Sequence, residues 1–290
     1  MNYFLHIVIM INIYIILVTS SNLLVGLTNL ISLGQAAFYG IGAYLTVMCL
    51  MVLNLPLIPT LLLSIIITAF LSLLLAIPAI KLKGDYFILA TLGFQMIIYA
   101  ILYNWVDLTR GPYGIPGIPA PKLFGNVEIS GITAFFIFSS LMAIITVYVF
   151  YKLINSPFGR VLKGIRDDEL SILTLGKNVK KFKSALFVIS SGFIAIAGFI
   201  YATYVTYIDP TSFTLDESIF ILSALLIGGT GNIKGPILGA VFVVVLPEIL
   251  RFVGMPDSVA ANMRQIIYGL TLIILMRFRQ QGLAGSYEVK

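Results

Sequence analysis

The first basic residue of this chain is Lys81, and everything before it is organised in long apolar runs at residues 3–19, 22–53 and 57–80. Stretches of this length without charge read as membrane-spanning helices, because a helix needs about 20 apolar residues to cross the hydrocarbon core. The whole chain follows suit: mean hydropathy is +1.04, 59% of residues are apolar and 10% are charged, against roughly 25% charged in a soluble domain. Its 290 residues leave room for about eight to ten spans of ~20 residues. The expected fold class is therefore all-α, a polytopic helix bundle in a lipid bilayer, formed by residues 1–290 as one domain with no soluble appendage.

Further crossings are expected at 84–103, 131–154, 184–207, 216–228, 236–253 and 264–278. The run 22–53 is too long for one straight crossing and is punctuated by Gly26, Gly34, Gly40 and Gly42, so a broken or kinked helix is expected there. Residues 104–130 are rich in Pro and Gly, hold the single Trp, and are too irregular to face lipid, so they read as a surface loop. The first run has no basic leader or clear cleavage site and reads as a retained helix. A faint internal echo relates Ile31-Ser32-x-Gly34-x-x-Ala37-x-x-Gly40 to Ile189-Ser190-x-Gly192-x-x-Ala195-x-x-Gly198. Repeats are common in transporters, but small residues are common in every membrane helix, and chance remains an equal reading.

One polar island interrupts the later half, from Ser156-Pro157-Phe158-Gly159-Arg160 to Gly176-Lys177-Asn178. Eight of the eighteen basic residues lie between Lys152 and Lys183, which by the positive-inside rule puts the loop 155–183 in the cytoplasm. Counting crossings from there places Lys81, Lys83, Lys234, Arg277, Arg279, Lys290 and the C-terminus on the same side, with Arg110, Lys122, Arg251 and Arg264 outside. The net charge of +6 is thus topogenic, and nothing resembles a nucleic-acid face. Cys49 and His6 are each alone of their kind, so neither a disulfide framework nor a Cys/His metal cluster is expected. No cofactor and no catalytic residue are expected either.

Two sets of residues carry candidate function. Ser32, Gly34, Gln35, Gly40, Gly42, Thr91, Gly93, Gln95, Gly192 and Gly198 combine small residues, which let helices approach closely, with amides that face a bundle interior. They read either as a translocation pathway or as ordinary helix packing. No acidic or basic residue is expected deep in a span, since Asp216, Glu217 and Glu248 fall near span ends. A proton relay of the usual kind is then missing, and no P-loop is present. Energy must come from another chain.

The island offers a docking site for one. Asp167, Asp168 and Glu169 stand where a helix dipole favours carboxylates, and Gly176 stands where a left-handed cap would end the helix. Leu170 and Leu173, with Ile172 and Leu175, give it an apolar side suited to a groove on a partner. Arg160, Lys163 and Arg166 precede it on a shorter turn. A helix lying on lipid headgroups is the competing reading.

Five collinear motifs between about residues 22 and 279 resemble the permease subunits of ABC importers, specifically the LivM branch of branched-chain amino acid importers. They are Ile31-Ser32-Leu33-Gly34-Gln35-Ala36-Ala37-Phe38, Leu82-Lys83-Gly84-Asp85-Tyr86-Phe87, Thr109-Arg110-Gly111-Pro112-Tyr113-Gly114-Ile115, Ser156-Pro157-Phe158-Gly159-Arg160 with Ile165-Arg166-Asp167-Asp168-Glu169, and Gly228-Gly229-Thr230-Gly231-Asn232-Ile233-Lys234-Gly235-Pro236. Gln35 departs from the His frequent at that place. The resemblance implies a multi-pass permease in a prokaryotic cell (inner) membrane, paired with a homologous second permease subunit, two cytoplasmic ABC ATPase subunits and an external solute-binding protein. It implies ATP-driven import of Leu, Ile or Val by alternating access. Arg160, Arg166, Asp167, Asp168, Glu169, Leu170, Leu173 and Gly176 would couple the ATPases to the bundle. A permease for urea or short amides, and an ion-coupled carrier or channel, are the alternatives.

Overall fold

The computed structural model describes residues 2–82, 84–122 and 129–252, with scattered positions between 263 and 287. The chain is helical nearly throughout: α1 (Asn2–Thr28), α2 (Gln35–Met51), α3 (Leu57–Ala79), α4 (Asp85–Asn104), α5 (Val106–Thr109), α6 (Ile132–Asn155), α7 (Pro157–Asp167), α8 (Glu169–Thr174), α9 (Val179–Val205), α10 (Leu215–Gly228) and α11 (Lys234–Phe252). Among the described residues five helices, α1, α3, α4, α6 and α9, are long and apolar enough to cross a membrane. The architecture is a multi-pass helical membrane bundle. The expected span 264–278 lies largely outside the described residues, as do Lys83, Arg264, Arg279, Lys290 and the part 123–128 of the loop 104–130.

Burial identifies the centre. In their most apolar stretches α1 and α9 are 67% and 72% buried, whereas α3, α4 and α6 reach only 22–28%. The backbones of α2 and α9 nearly touch: a Cβ on Gly42 would lie 2.6 Å from Ala195 Cα, and one on Gly198 would lie 2.5 Å from the Tyr39 carbonyl oxygen. Glycine is what permits that approach, since lipid tails give helices no hydrophobic reason to associate and close packing must supply the attraction.

α3 shows the same rule from the other side. Its buried face repeats every four residues as Thr60, Ser64, Thr68, Ser72 and Ala76, while Leu62, Ile66, Phe70 and Leu74 are exposed where lipid would be. Thr46 of α2 meets Ser64 across the contact, hydroxyl to hydroxyl at 3.1 Å. Small polar side chains are cheap to pack and can find partners inside, and the bulky apolar ones are at home outside.

Three details differ from the reading of the sequence. α1 does not end near residue 19; it runs on through Ser20 and Ser21, whose hydroxyls donate back to the carbonyls of Ile16 and Leu17 at 2.6 and 2.9 Å. Such local bonds satisfy the side chains without breaking the helix. The interruption comes at 29–34, starting where Asn29 takes a left-handed φ of 54°. The internal echo does not survive as a structural repeat, because the first copy breaks at 29–34 while the second lies within the unbroken α9. Finally, α10 has 14 residues, only about 21 Å of helix. Its last glycine, Gly228, abuts Gly235 and Gly239, and its carbonyl accepts from Ala284. The other end of α10 therefore stops inside the bundle, and residues 206–214 lead into it through a two-residue strand, Tyr207–Ile208, paired with Ile115–Pro116, and a short 3₁₀ turn, Pro210–Phe213.

Adding a side chain at the α2–α9 contact should overpack it. Gly42→Val or Gly198→Val is expected to cost about 1–3 kcal/mol and to lower the Tm of the detergent-purified protein. Gly93→Ala, whose Cβ meets nothing within 4 Å, should leave Tm unchanged.

Candidate functional site

Two interruptions between the α-helices enter the bundle, 29–34 before α2 and 206–214, with its 3₁₀ turn Pro210–Phe213, before α10, and they are satisfied by one shared set of side chains. Leu33 N–H donates to Thr91 Oγ1 at 3.0 Å, and Gly34 N–H donates to Ser32 Oγ at 3.2 Å. Ala36 N–H, in the first turn of α2, donates to Ser218 Oγ of α10 at 3.0 Å. Gln95 Nε2 donates to the Phe213 carbonyl at 2.7 Å, and its Oε1 lies 3.5 Å from Ser218 Oγ. Thr91 and Gln95 are one turn apart on α4, so a single helix face serves both interruptions. Gln35 is buried beside them with its Oε1 unpartnered among the described residues.

Beside this junction sits an aromatic cluster. The rings of Tyr39 and Phe213 are 5.0 Å apart, those of Tyr39 and Tyr201 5.5 Å, and Gly40 gives Phe213 room. Glu217, in the first turn of α10, accepts a 2.8 Å hydrogen bond from the Tyr14 hydroxyl. Tyr14 is near the middle of the 27-residue α1, roughly 18–21 Å from its ends. Glu217 is thus at the middle depth of the membrane, which corrects the expectation that no charged residue lies deep in a span. The error came from placing the start of a 13-residue apolar segment at the surface. Its shortness was the signal that it begins inside.

At one end of the bundle, α7 and α8 lie outside the spans. Ser156 caps α7, its Oγ accepting from Gly159 N–H at 3.1 Å, and Pro157 opens it. Leu162 and Ile165 face the bundle. Arg166 turns inward: its Nη1 donates to the Gly26 carbonyl at 2.9 Å, its guanidinium lies 3.8 Å from the centre of the Tyr287 ring, and its Nε pairs with Asp167 at 2.9 Å. A cation on the last turn of α1 meets the negative end of the helix dipole. Asn22 ties the same region to the glycine-rich turn, donating to the Asn232 carbonyl at 2.7 Å and accepting from Gly231 N–H at 3.2 Å.

α8 begins at Asp168, whose Oδ1 accepts from Leu170 N–H at 3.0 Å and which also receives the Ser171 hydroxyl. That hydroxyl, with the amides of Ser171 and Leu170, holds the Asp168 carboxyl below the usual carboxylate range. Gly176, at φ 75°, closes the helix: its N–H reaches the Leu173 carbonyl while Lys177 N–H reaches that of Ile172. Glu169 is bound to Lys183 of α9 at 2.8 Å. Ile172 packs onto Gly164, leaving Leu170, Leu173 and Leu175 exposed at 71%, 47% and 72%. The four apolar residues do not share one face; three point outward and Ile172 anchors the helix.

The family model described as "Branched-chain amino acid transport system / permease component" matches residues 3–276. The chain belongs to this permease family. Among its relatives is the high-affinity branched-chain amino acid transport system permease protein LivM of Salmonella typhimurium, 33% identical over 93% of this chain and 67% of that protein. The protein of the same description from Escherichia coli is 32% identical over the same shares. The probable branched-chain amino acid transport permease protein LivM of Methanocaldococcus jannaschii is 30% identical over 71% of this chain and 62% of its own length. No solved structure matches. The relatives are permease components of transport systems.

In this permease the structure gathers Ser32, Gly34, Gln35, Thr91 and Gln95 at the junction, and Gly40, Gly42 and Gly198 at the contacts around α2. Gly93 has no close neighbour, and Gly192 is in ordinary contact with Ile65 at 3.4 Å. Arg160 is exposed on α7. Ser218, Phe213, Tyr14 and Lys183 were not singled out from the sequence. Nothing in their spacing marks Ser218, Phe213 and Tyr14, since each acts on a partner over 100 residues away, and Lys183 reaches Glu169 only across the turn at Gly176.

Asp168→Ala should speed amide exchange across Leu170–Thr174, whereas Asp168→Asn, still a capping residue, should not. Because the folded carboxyl titrates below its unfolded value of about 3.9, the charged cap should persist at neutral pH and be lost only as pH falls through that lowered value. Asp168→Asn should abolish this acid-dependent step in exchange.

Proposed function

We propose that the chain is the membrane-spanning permease subunit of an ATP-driven ABC importer for branched-chain amino acids. It pairs with a homologous second permease subunit, receives solute from an external binding protein, and is driven by two cytoplasmic ATPase subunits. The observation that carries this is a built docking helix in a chain of this family: α8 is capped at both ends, pinned by Glu169 to Lys183, and presents Leu170, Leu173 and Leu175 to solvent. Exposed leucines on a helix held this firmly fit a groove in a partner. The cluster of basic residues around them supports a cytoplasmic setting.

A route inward is also supported. α8 is joined to α9 through Lys183, and α7 to the end of α1 through Arg166. These are the two most buried of the five long helices, and both border the junction where α2 and α10 begin. A shift of α7–α8 on ATP binding would reach the interruptions in the membrane without loosening the bundle elsewhere. Asp216 supports the second permease subunit: it is exposed in the first turn of α10, at a depth where lipid would not tolerate a carboxylate.

Reconstituted with its partners, the complex should accumulate leucine only with ATP and loaded binding protein. Uptake that persists without ATP would favour a carrier or channel, and saturable uptake of urea in place of leucine would change the substrate class. Leu170→Asp with Leu173→Asp should abolish ATP-driven uptake while the subunit still inserts. Glu169→Lys should reduce uptake several-fold, and adding Lys183→Glu should restore much of it; no rescue would mean the pair does not position α8.

A further inference from the structure

A narrow slot of about 570 Å³ opens on the outside of the bundle, in the half that carries α7 and α8. Ile15 of α1 forms its floor, Ile144 and Val147 of α6 one wall, and Ile233 and Ile237 at the start of α11 the other. Along α6 the lining runs from Ser140 to Tyr151, about 16–17 Å of helix, or close to half of the ~30 Å hydrocarbon core. At the deep end Asn12 gives its amide hydrogens to Ser139 and Ser140, at 3.1 and 2.9 Å, so the slot closes on a satisfied polar contact near the middle of the membrane. A partner helix lying in such a groove would continue across the other leaflet. A slot one leaflet deep with apolar walls fits the acyl chain of a lipid instead.

The mouth of the slot narrows the lipid. Lys152 follows Tyr148 by one turn on the same face of α6, its ammonium 5.7 Å from the centre of that ring. Lys234 precedes Ile237 by one turn of α11 and is the first residue of that helix, where the dipole adds positive potential. Both lysines are exposed, and neither pairs with a carboxylate among the described residues. They stand at the same end of the bundle: α6 runs directly into α7, and Gly26 of α1 both receives Arg166 of α7 and abuts Gly231 just before α11. Tyr148 and Tyr151, 60% and 57% exposed, occupy the level where tyrosines favour the membrane–water interface. Basic pockets between spanning helices bind anionic headgroups, and the lysine stems let the ammonium groups reach the phosphate level while covering apolar surface.

We infer that this slot is a binding site for an anionic phospholipid, with one acyl chain lying between α6 and α11 over α1 and the phosphate held by Lys152 and Lys234 beside Tyr148 and Tyr151. The lipid ties the helix that leads into α7 to the helix that follows the glycine-rich turn. The α7–α8 end is thus packed in part through a lipid of one leaflet, and the charge of that lipid, not only its chains, sets how firmly it is held.

The test uses the assembled complex in phosphatidylcholine nanodiscs containing a trace of either phosphatidylglycerol or phosphatidylcholine with a photoreactive diazirine on one acyl chain. Mass spectrometry of the labelled peptides should place the phosphatidylglycerol label around Val147 and Ile237, roughly tenfold above the phosphatidylcholine label at the same trace amount. Lys152→Gln and Lys234→Gln should each lower that label about fivefold, while Lys81→Gln, beyond the end of α3, should not. Val147→Trp, which fills the slot and leaves both lysines, should lower it as well. Glycerol 3-phosphate, the headgroup anion without chains, should not compete. Equal labelling of the slot by the two lipids, labelling unchanged in both lysine variants or in Val147→Trp, or displacement by glycerol 3-phosphate would each overturn the inference. So would a slot left unlabelled while the exposed face of α3 around Ile66 is labelled, which would mean that a partner subunit covers it.

Discussion

Inside a bilayer there is no water to complete a broken helix, so every free amide or carbonyl must find a partner within the protein. That constraint shapes the centre of this molecule. The chain is interrupted twice within the bundle, and each interruption is completed by side chains from elsewhere: Thr91 and Gln95 from α4, Ser218 from α10. Because Gln95 holds the Phe213 carbonyl and also approaches Ser218, which in turn holds the start of α2, the two breaks are one junction. Neither half-crossing can move alone without giving up a bond that the membrane cannot replace.

Around that junction the bundle is assembled by close approach rather than by hydrophobic burial. α2 and α9 meet at backbone distance through Gly42 and Gly198. α3 turns its threonines and serines inward and its leucines outward. The α7–α8 end is attached to this interior by a few polar contacts, Arg166 to the last turn of α1 and Glu169 to Lys183 of α9. α1 then links both ends of the molecule: Gly26 meets Arg166 near one end, Tyr14 meets Glu217 halfway, and His6 meets Tyr204 at 2.7 Å near the other. A permease needs a stiff element that passes between its faces, and α1 and α9 have the length and burial for it.

The parts legible from sequence were those written in local chemistry. Ser156-Pro157 announces the start of α7, Asp168 the start of α8, and Gly176 its end, because each satisfies backbone groups within a few residues of itself. The parts that were not legible depend on distant partners. Ser20 and Ser21 look like a helix boundary and are not one. Leu170, Ile172, Leu173 and Leu175 look like one apolar side, yet Ile172 is drawn onto Gly164 and the others are left outside. The four-residue repeat Thr60, Ser64, Thr68, Ser72 was readable in principle as an inward face.

The sequence by itself determined the class of molecule: charge-free runs long enough to span a bilayer leave no other fold, and the island between Ser156 and Asn178 has too much charge to be anything but external to the membrane. The tertiary structure alone decided depth. Glu217 follows a surface-like Asp209-Pro210 turn in the sequence, and only the folding of 206–214 back into the bundle carries it to the level of Tyr14. Hydropathy reports whether a segment can enter a membrane. Where a charged residue stops within it is set by contacts between helices, which the linear order does not record.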